Sequence, residues 1–332
     1  MPAPLTEITE IATALGTLAH DLPTALRERP DRLRNVSDQV WNRLVDVFAS
    51  GDHGVAFATA FANGQAFLAA EDGLRHRPPR LVEWKGPHRP PGDDVVPADI
   101  RIDHVYQVSC KYLSKVMHNP GPARLFDRLL VGEERAPADW FGVVAPAEYQ
   151  VFYGAVREFV GALLPLQVTD LDAAGRAVLK EALRHRQLPP SVQPAWSDLC
   201  IAVADASATR WAANIANDRA RLRLLWRLLR IGDAPYFILG AAGRNRVRLR
   251  VASAWDWTQA YELRSFEVTS RPRGQPEVAW NAAIRERASG QERRIEGHVE
   301  IRWSHGRLQG SPEAKVYLDT SHDAVPGYYA LQ

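Results

Sequence analysis

The stretch Asp99–Lys111, reading DIRIDHVYQVSCK, constrains the fold of this chain more than any other. Side chains along a strand alternate between two faces. On a first strand Asp99 and Arg101 therefore face one way, and Ile100 and Ile102 the other. Asp103-His104 suits a tight turn, because Asp favours such positions. On a second strand Gln107, Ser109 and Lys111 share a face, while Val108 and Cys110 point to the core. Period-two patterning on both sides of a turn predicts a β-hairpin. It sets an acid, Asp99, across from a hydroxyl, Ser109, and an ammonium, Lys111.

Lys111 is also a rare residue type here. Only five of the 41 basic residues are lysines: Lys85, Lys111, Lys115, Lys180 and Lys315. Arginine carries nearly all the positive charge, so a lysine marks a place where a compact charge with a tunable pKa is of use. Codon bias with an ordinary surface hairpin explains the same rarity, so the surrounding residues have to carry the argument.

Before the hairpin, residues 4–75 read as helices, with Leu5, Ile8, Ile11, Leu15 and Leu18 at three- and four-residue spacing. Further amphipathic stretches cover Asp38–Phe48 and Val55–Ala70. Arg80–Gly86 is a short strand, followed by a breaker-rich loop over 87–94. After the hairpin, Tyr112–Leu130 is expected to be helical with a break at His118–Pro122. Residues 146–230 are mostly helical, with an interruption near Leu188-Pro189-Pro190. Strands are expected at Tyr236–Leu239, Arg246–Val251, Tyr261–Val268, His298–Trp303 and Ala314–Leu318, the last as a terminal strand. Residues 276–296 read as an exposed loop or hairpin tip. This order gives an α/β (α+β) chain in three consecutive parts: an N-terminal helical segment 1–52, an α/β core 53–145, and a helical then strand-rich region 146–332.

A carboxylate, a hydroxyl and an ammonium side by side are what a magnesium-assisted hydrolysis uses. The carboxylate holds a hard cation that prefers oxygen and keeps several waters. The lysine orients a metal-bound water or offsets charge building on a phosphate. Residues 55–130 resemble the core of the PD-(D/E)xK nuclease superfamily, which includes many restriction endonucleases. Pro97-Ala98-Asp99 resembles the first motif with one residue inserted. Ser109-Cys110-Lys111 resembles acid-x-Lys with Ser in place of the acid. Asn63–Leu68 resembles the preceding helix, where Leu68 stands at the usual Glu position and Glu71 is the nearest acid. The resemblance implies a restriction-endonuclease-like mixed sheet flanked by helices and a Mg2+-dependent DNA endonuclease of restriction or defence type. Such enzymes often work as homodimers. It implies Asp99 as metal ligand, Ser109 at the second ligand position and Lys111 assisting the attacking water. With Ser109 a weak ligand, Glu83 on the neighbouring strand is the candidate second acid, for catalysis and for the metal. A competing register is Glu83-Trp84-Lys85 with Asp72 upstream. The alternative is a nuclease-like DNA-binding or scaffold protein that has lost catalysis. A protein-interaction domain with no nucleic-acid partner is a third class.

Residues 219–250 carry nine arginines against one acid, Asp233, in a chain whose net charge is only +2. Arg219, Arg223, Arg227 and Arg230 recur at helical spacing. Arg246, Arg248 and Arg250 alternate with Val247, Leu249 and Val251 along a strand. Such a patch is the footprint of a phosphate-backbone partner, and Trp255 and Trp257, at strand spacing, could add stacking. A solvated helix face and a charge-protected edge strand give the same pattern.

Other chemistries fit poorly. His104, His118, Cys110 and Cys200 lack the paired close spacings of structural zinc sites. Ser109 and Lys111 as a nucleophilic pair lack an accompanying strained turn or oxyanion-hole motif. No phosphate-binding Gly-x-x-x-x-Gly-Lys-Ser/Thr loop is present. The two cysteines are no disulfide framework and suit a reducing cytoplasm. The acidic N-terminal stretch does not read as a signal peptide, and no apolar run is long enough for a membrane span. A cytoplasmic protein is therefore expected.

Overall fold

The structure is a computed structural model that describes residues 4–86, 98–112, 116–132, 139–161, 163–184, 187–242 and 245–332. Pro97, the loop with His88, Lys115, Gly243 and Arg244 lie outside the described residues. In chain order the elements are α1 (Pro4–Gly16), α2 (Leu22–Glu28), β1 (Leu33–Arg34), α3 (Asp38–Ala49), α4 (Gly54–Ala69), β2 (Val82–Trp84), β3 (Ile100–Ile102) and β4 (Tyr106–Tyr112). Next come β5 (Val116–His118), α5 (Pro122–Phe126), α6 (Trp140–Val144), α7 (Pro146–Val160), α8 (Ala173–Ala182), α9 (Gln193–Asn214) and α10 (Asp218–Leu228). The chain ends with β6 (Tyr236–Ala242), β7 (Asn245–Val251), α11 (Ala254–Ala260), β8 (Tyr261–Ser270), β9 (Glu277–Glu286), β10 (Glu292–Arg302), β11 (Glu313–Leu318) and β12 (Tyr328–Ala330).

The chain forms two compact units, each discontinuous in sequence. The first comprises Met1–Ser114, Arg230–Tyr261 and Ser321–Gln332; the second comprises Lys115–Leu229 and Glu262–Thr320. The segment 53–145 thus contributes to both units.

The first unit holds a seven-stranded mixed sheet in the order β1-β2-β3-β4-β6-β7-β12. Strands β2, β3 and β4 form an antiparallel meander, and β6 then lies parallel to β4. Period-two alternation gives this sheet one apolar face, with Val82, Trp84, Ile100, Ile102, Val108, Phe237 and Leu239 buried in one cluster with residues of α1 and α4. The two helices cross at Gly16 and Gly64, where a Cβ on either glycine would run into the other helix's backbone, at Phe61 O and Thr13 O respectively. Asn63 ties the sheet to α4. Its amide donates to Tyr112 Oη and Gly240 O, both at 3.0 Å, and its carbonyl accepts from Arg248 at 2.9 Å.

The second unit holds a five-stranded antiparallel sheet in the order β5-β11-β10-β9-β8. Helix α9 packs against α5, α6, α7 and β9. Aromatic rings fill the core: Trp140 stacks on Phe126 at 5.7 Å, and Trp280 stacks on Phe266 at 6.0 Å. Across the chain, eight of the ten tryptophans are buried and serve as core volume; Trp226 is half-buried and Trp255 exposed.

Several expectations need correction. Trp255 and Trp257 lie on α11, where Ser253 and Asp256 form a capping box, and only Trp255 is exposed. The segment after Tyr112 contains β5 before the short helix α5. Residues 276–296 are mostly the long strands β9 and β10, paired from Glu277↔Glu300 to Arg285↔Glu292, with only the tip as a turn. β11 is not terminal, because β12 follows and pairs with β7. Among the described residues, no helix is long and apolar enough to cross a membrane.

Candidate active site

The turn of the β3–β4 hairpin is built as its residues suggest. Asp103 and His104 both adopt left-handed backbone, at φ 50° and 59°, and the Val105 N–H donates to Ile102 O at 3.0 Å. The Asp103 carboxylate accepts from Arg77 at 2.6 Å and from the Arg80 and Leu81 amides at 2.7 and 3.0 Å. Burial raises its pKa, but these donors more than offset that and hold the group below the usual range.

The β3–β4 register runs as far as Ile100↔Val108; beyond it the Asp99 N–H donates to Val108 O at 2.8 Å, so the ladder turns irregular at Asp99. Asp99 and Ser109 meet through their side chains, and Lys111 lies two residues beyond Ser109 on the same face of β4. Asp99 is only 6% exposed and Ser109 is fully buried. The Ser109 hydroxyl donates to Asp99 Oδ2 at 3.4 Å, and the Cys110 N–H donates to the same oxygen at 2.7 Å. The Asp99 carboxylate thus receives a strand amide, the work a backbone carbonyl does elsewhere in a ladder. Lys85, opposite Asp99 on the other side, donates its backbone N–H to Asp99 O at 2.9 Å. On the far side of β4, Lys111 pairs with Gly240. A Cβ at residue 240 would run into the Lys111 carbonyl, so glycine is what lets β6 lie alongside.

Glu83 is placed differently from the expectation of a second ligand. It opposes Arg101 in the β2–β3 pair, which grips it with two hydrogen bonds of 2.8 and 3.0 Å, and His104 Nδ1 lies at 3.2 Å. The Arg101 hydrogen bonds are the main reason its pKa is lowered, against the opposing effect of burial. Its charge is thus already compensated. The competing register does not assemble around Glu83 either: Asp72 pairs with Arg250 at 3.6 Å, and Trp84 is in the core. Glu71 pairs with Arg75 on the surface at 3.6 Å.

The sequence reading missed two acids on α1. Glu7 is buried and held by Arg43 at 2.7 Å, and Glu10 is buried and accepts from Trp84 Nε1 at 2.6 Å. Burial, then Asp99 and Glu10, push the Cys110 thiol well above its ordinary pKa, which favours the thiol over the thiolate there. The available signal was two acids inside an apolar helix in a stretch with no Lys or Arg before Arg27.

The arginine stripe separates into parts. Arg248 is tied to α4 through Asn63 and, at 3.1 Å, Ala62 O. Arg250 pairs with Asp72 and lies 5.1 Å from the Tyr329 ring. These two residues serve the fold, while Arg246 is exposed. Arg230 ends the helical region with a left-handed φ of 52°. Arg219, Arg223 and Arg227 belong to α10 in the second unit, whereas Arg230 and the strand arginines belong to the first.

Magnesium takes hard oxygen donors and is commonly held by one or two carboxylates plus substrate phosphates. Asp99 and Ser109 fit that preference in kind. In number the hairpin offers one carboxylate, because Glu83 is neutralised by Arg101. Among the described residues no group of three or more His, Cys, Asp or Glu side chains gathers as a metal site. No protein-family model, curated protein or solved structure matches the chain.

Proposed function

We propose that the protein is a magnesium-dependent DNA endonuclease of restriction or defence type, built on a PD-(D/E)xK-like core. One observation carries the reading: Asp99, Ser109 and Lys111 share a face of an antiparallel meander whose last strand is followed by a parallel one. Asp99 would hold the metal, with Ser109 reaching it through its hydroxyl or a water. The bound ion would supply Lewis acidity and lower the pKa of a water. Lys111 orients that water and offsets charge on the scissile phosphate. Cutting both strands of a duplex calls for two such sites, so the reading includes a homodimer.

A second reading is a nuclease-like DNA-binding protein without catalysis. It is favoured by the Glu83–Arg101 pair and by the Cys110 amide that already occupies Asp99. Incubation with supercoiled plasmid separates the two. The hydrolase reading expects nicking with magnesium or manganese, none in chelator, and loss of nicking in Asp99→Asn. Intact DNA with every divalent metal, together with retained DNA binding, selects the second reading.

A further inference from the structure

Several arginines of this chain are paired with carboxylates at close range: Arg43 with Glu7 at 2.7 Å, Arg101 with Glu83 at 2.8 Å and Arg210 with Asp127 at 2.8 Å. Helix α10 breaks that habit. Arg219, Arg223 and Arg227 recur every fourth residue, about 6 Å apart along the axis. Neither three nor four residues from any of them does the sequence place an acid. Like charges at this spacing destabilise a helix. Arg221, off the row, does have its acid, Asp218, at 3.1 Å.

Among the described residues no carboxylate pairs with the row either. Arg219 and Arg223 are exposed, and among the described residues neither has a carboxylate partner. Arg227 is half-buried, donates to Leu129 O at 3.0 Å, and its own carbonyl accepts from His118 Nε2 at 2.7 Å. Burial, then the neighbouring Arg223, lower its pKa. Trp226, half-buried, lies three residues from Arg223 on the same side. The helix is fixed at its start by Asn217, whose side chain accepts from the Ala220 amide at 2.9 Å.

We propose that the Arg219–Arg223–Arg227 row of α10 is a docking surface for the phosphodiester backbone of a nucleic acid. A row of uncompensated guanidinium groups complements a row of phosphates. The choice of nucleic acid as the polyanion rests on the endonuclease reading. It narrows the binding surface to one helix of the second unit and removes Arg248 and Arg250 from it.

The test is fluorescence-anisotropy titration of the full chain in chelator with a labelled 30-base-pair duplex, over a range of salt. Binding is then measured without cleavage, so the two proposals can fail separately. Each phosphate contact contributes about 0.9 to the slope of log K against log salt. Arg219→Ala/Arg223→Ala is expected to lower that slope by about 2 and to weaken binding at least tenfold at low salt. Arg285→Ala, an exposed arginine on β9, is the control and leaves both unchanged. An unchanged slope in the double variant, an equal loss in the control, or no duplex binding by the native chain overturns the proposal. Tight binding to heparin with none to duplex also overturns it.

Discussion

Asp99 Oδ2 accepts the Cys110 amide hydrogen at 2.7 Å, with the Ser109 hydroxyl at 3.4 Å on the same oxygen. The residue proposed to hold a metal is therefore also a piece of the sheet. Removing a charged acceptor from a buried donor costs about 2 kcal/mol. Asp99→Ala should lower stability in urea unfolding by about that amount, whereas Asp99→Asn, which keeps an acceptor oxygen, should cost about half as much. Equal stability for both variants and the native chain would remove the structural role.

Gly240 and Gly64 are close-approach positions, one against the Lys111 carbonyl and one against Thr13 O on α1. Backbone, unlike a flexible side chain, cannot swing away. Alanine at either position should destabilise by about 2–3 kcal/mol, as overpacking does. Gly154→Ala, with open space around its Cβ and a site inside α7, is the contrast and should be neutral or stabilising. Thermal unfolding of the three variants checks the order.

Glu83 is lowered chiefly by the Arg101 hydrogen bonds, while Asp103 is lowered by Arg77 and two backbone amides despite burial. Depressed carboxylates bind fewer protons in the native state than in the unfolded one. Their contribution is fully present above the unfolded pKa values, about 4, and is lost as pH falls through the lower native ones. Urea midpoints should decline below about pH 4.5. Glu83→Gln should flatten that decline, and an unchanged pH profile would contradict the pairing.

Both thiols are raised. Burial lifts Cys200 to about 12, and burial with Asp99 and Glu10 lifts Cys110 well above its ordinary value. At pH 8 neither carries much thiolate, so a disulfide reagent should label the native chain far more slowly than the chain in denaturant. Rapid labelling of either cysteine in native protein contradicts this environment.

The hairpin was legible because its signals are local. Period-two alternation set the faces of Asp99, Ser109 and Lys111, and Asp103-His104 supplied a turn. Strands β6, β7, β8 and β11 and the second half of β10 were legible for the same reason, whereas the first half of β10 read as a loop. What failed was non-local. The parallel pairing of β4 with β6 joins residues more than 120 positions apart, with much of the second unit between them. Nothing in the alternation of Arg246, Arg248 and Arg250 shows that two of them turn toward Asn63 and Asp72. Glu83 read as a spare acid because its partner, Arg101, becomes its neighbour only once β2 and β3 pair. Trp255 and Trp257 fit strand spacing as two isolated aromatics, but the capping pair Ser253 and Asp256 makes that stretch a helix.

The central claim is that Lys111 serves phosphodiester hydrolysis from the β4 strand. The direct measurement is the initial rate of plasmid nicking by native protein and by Lys111→Ala, with magnesium, at equal DNA occupancy. The account predicts a loss of at least a hundredfold in Lys111→Ala, with binding and urea stability unchanged. Equal nicking by the two proteins, or no nicking by native protein with any divalent metal, would contradict it.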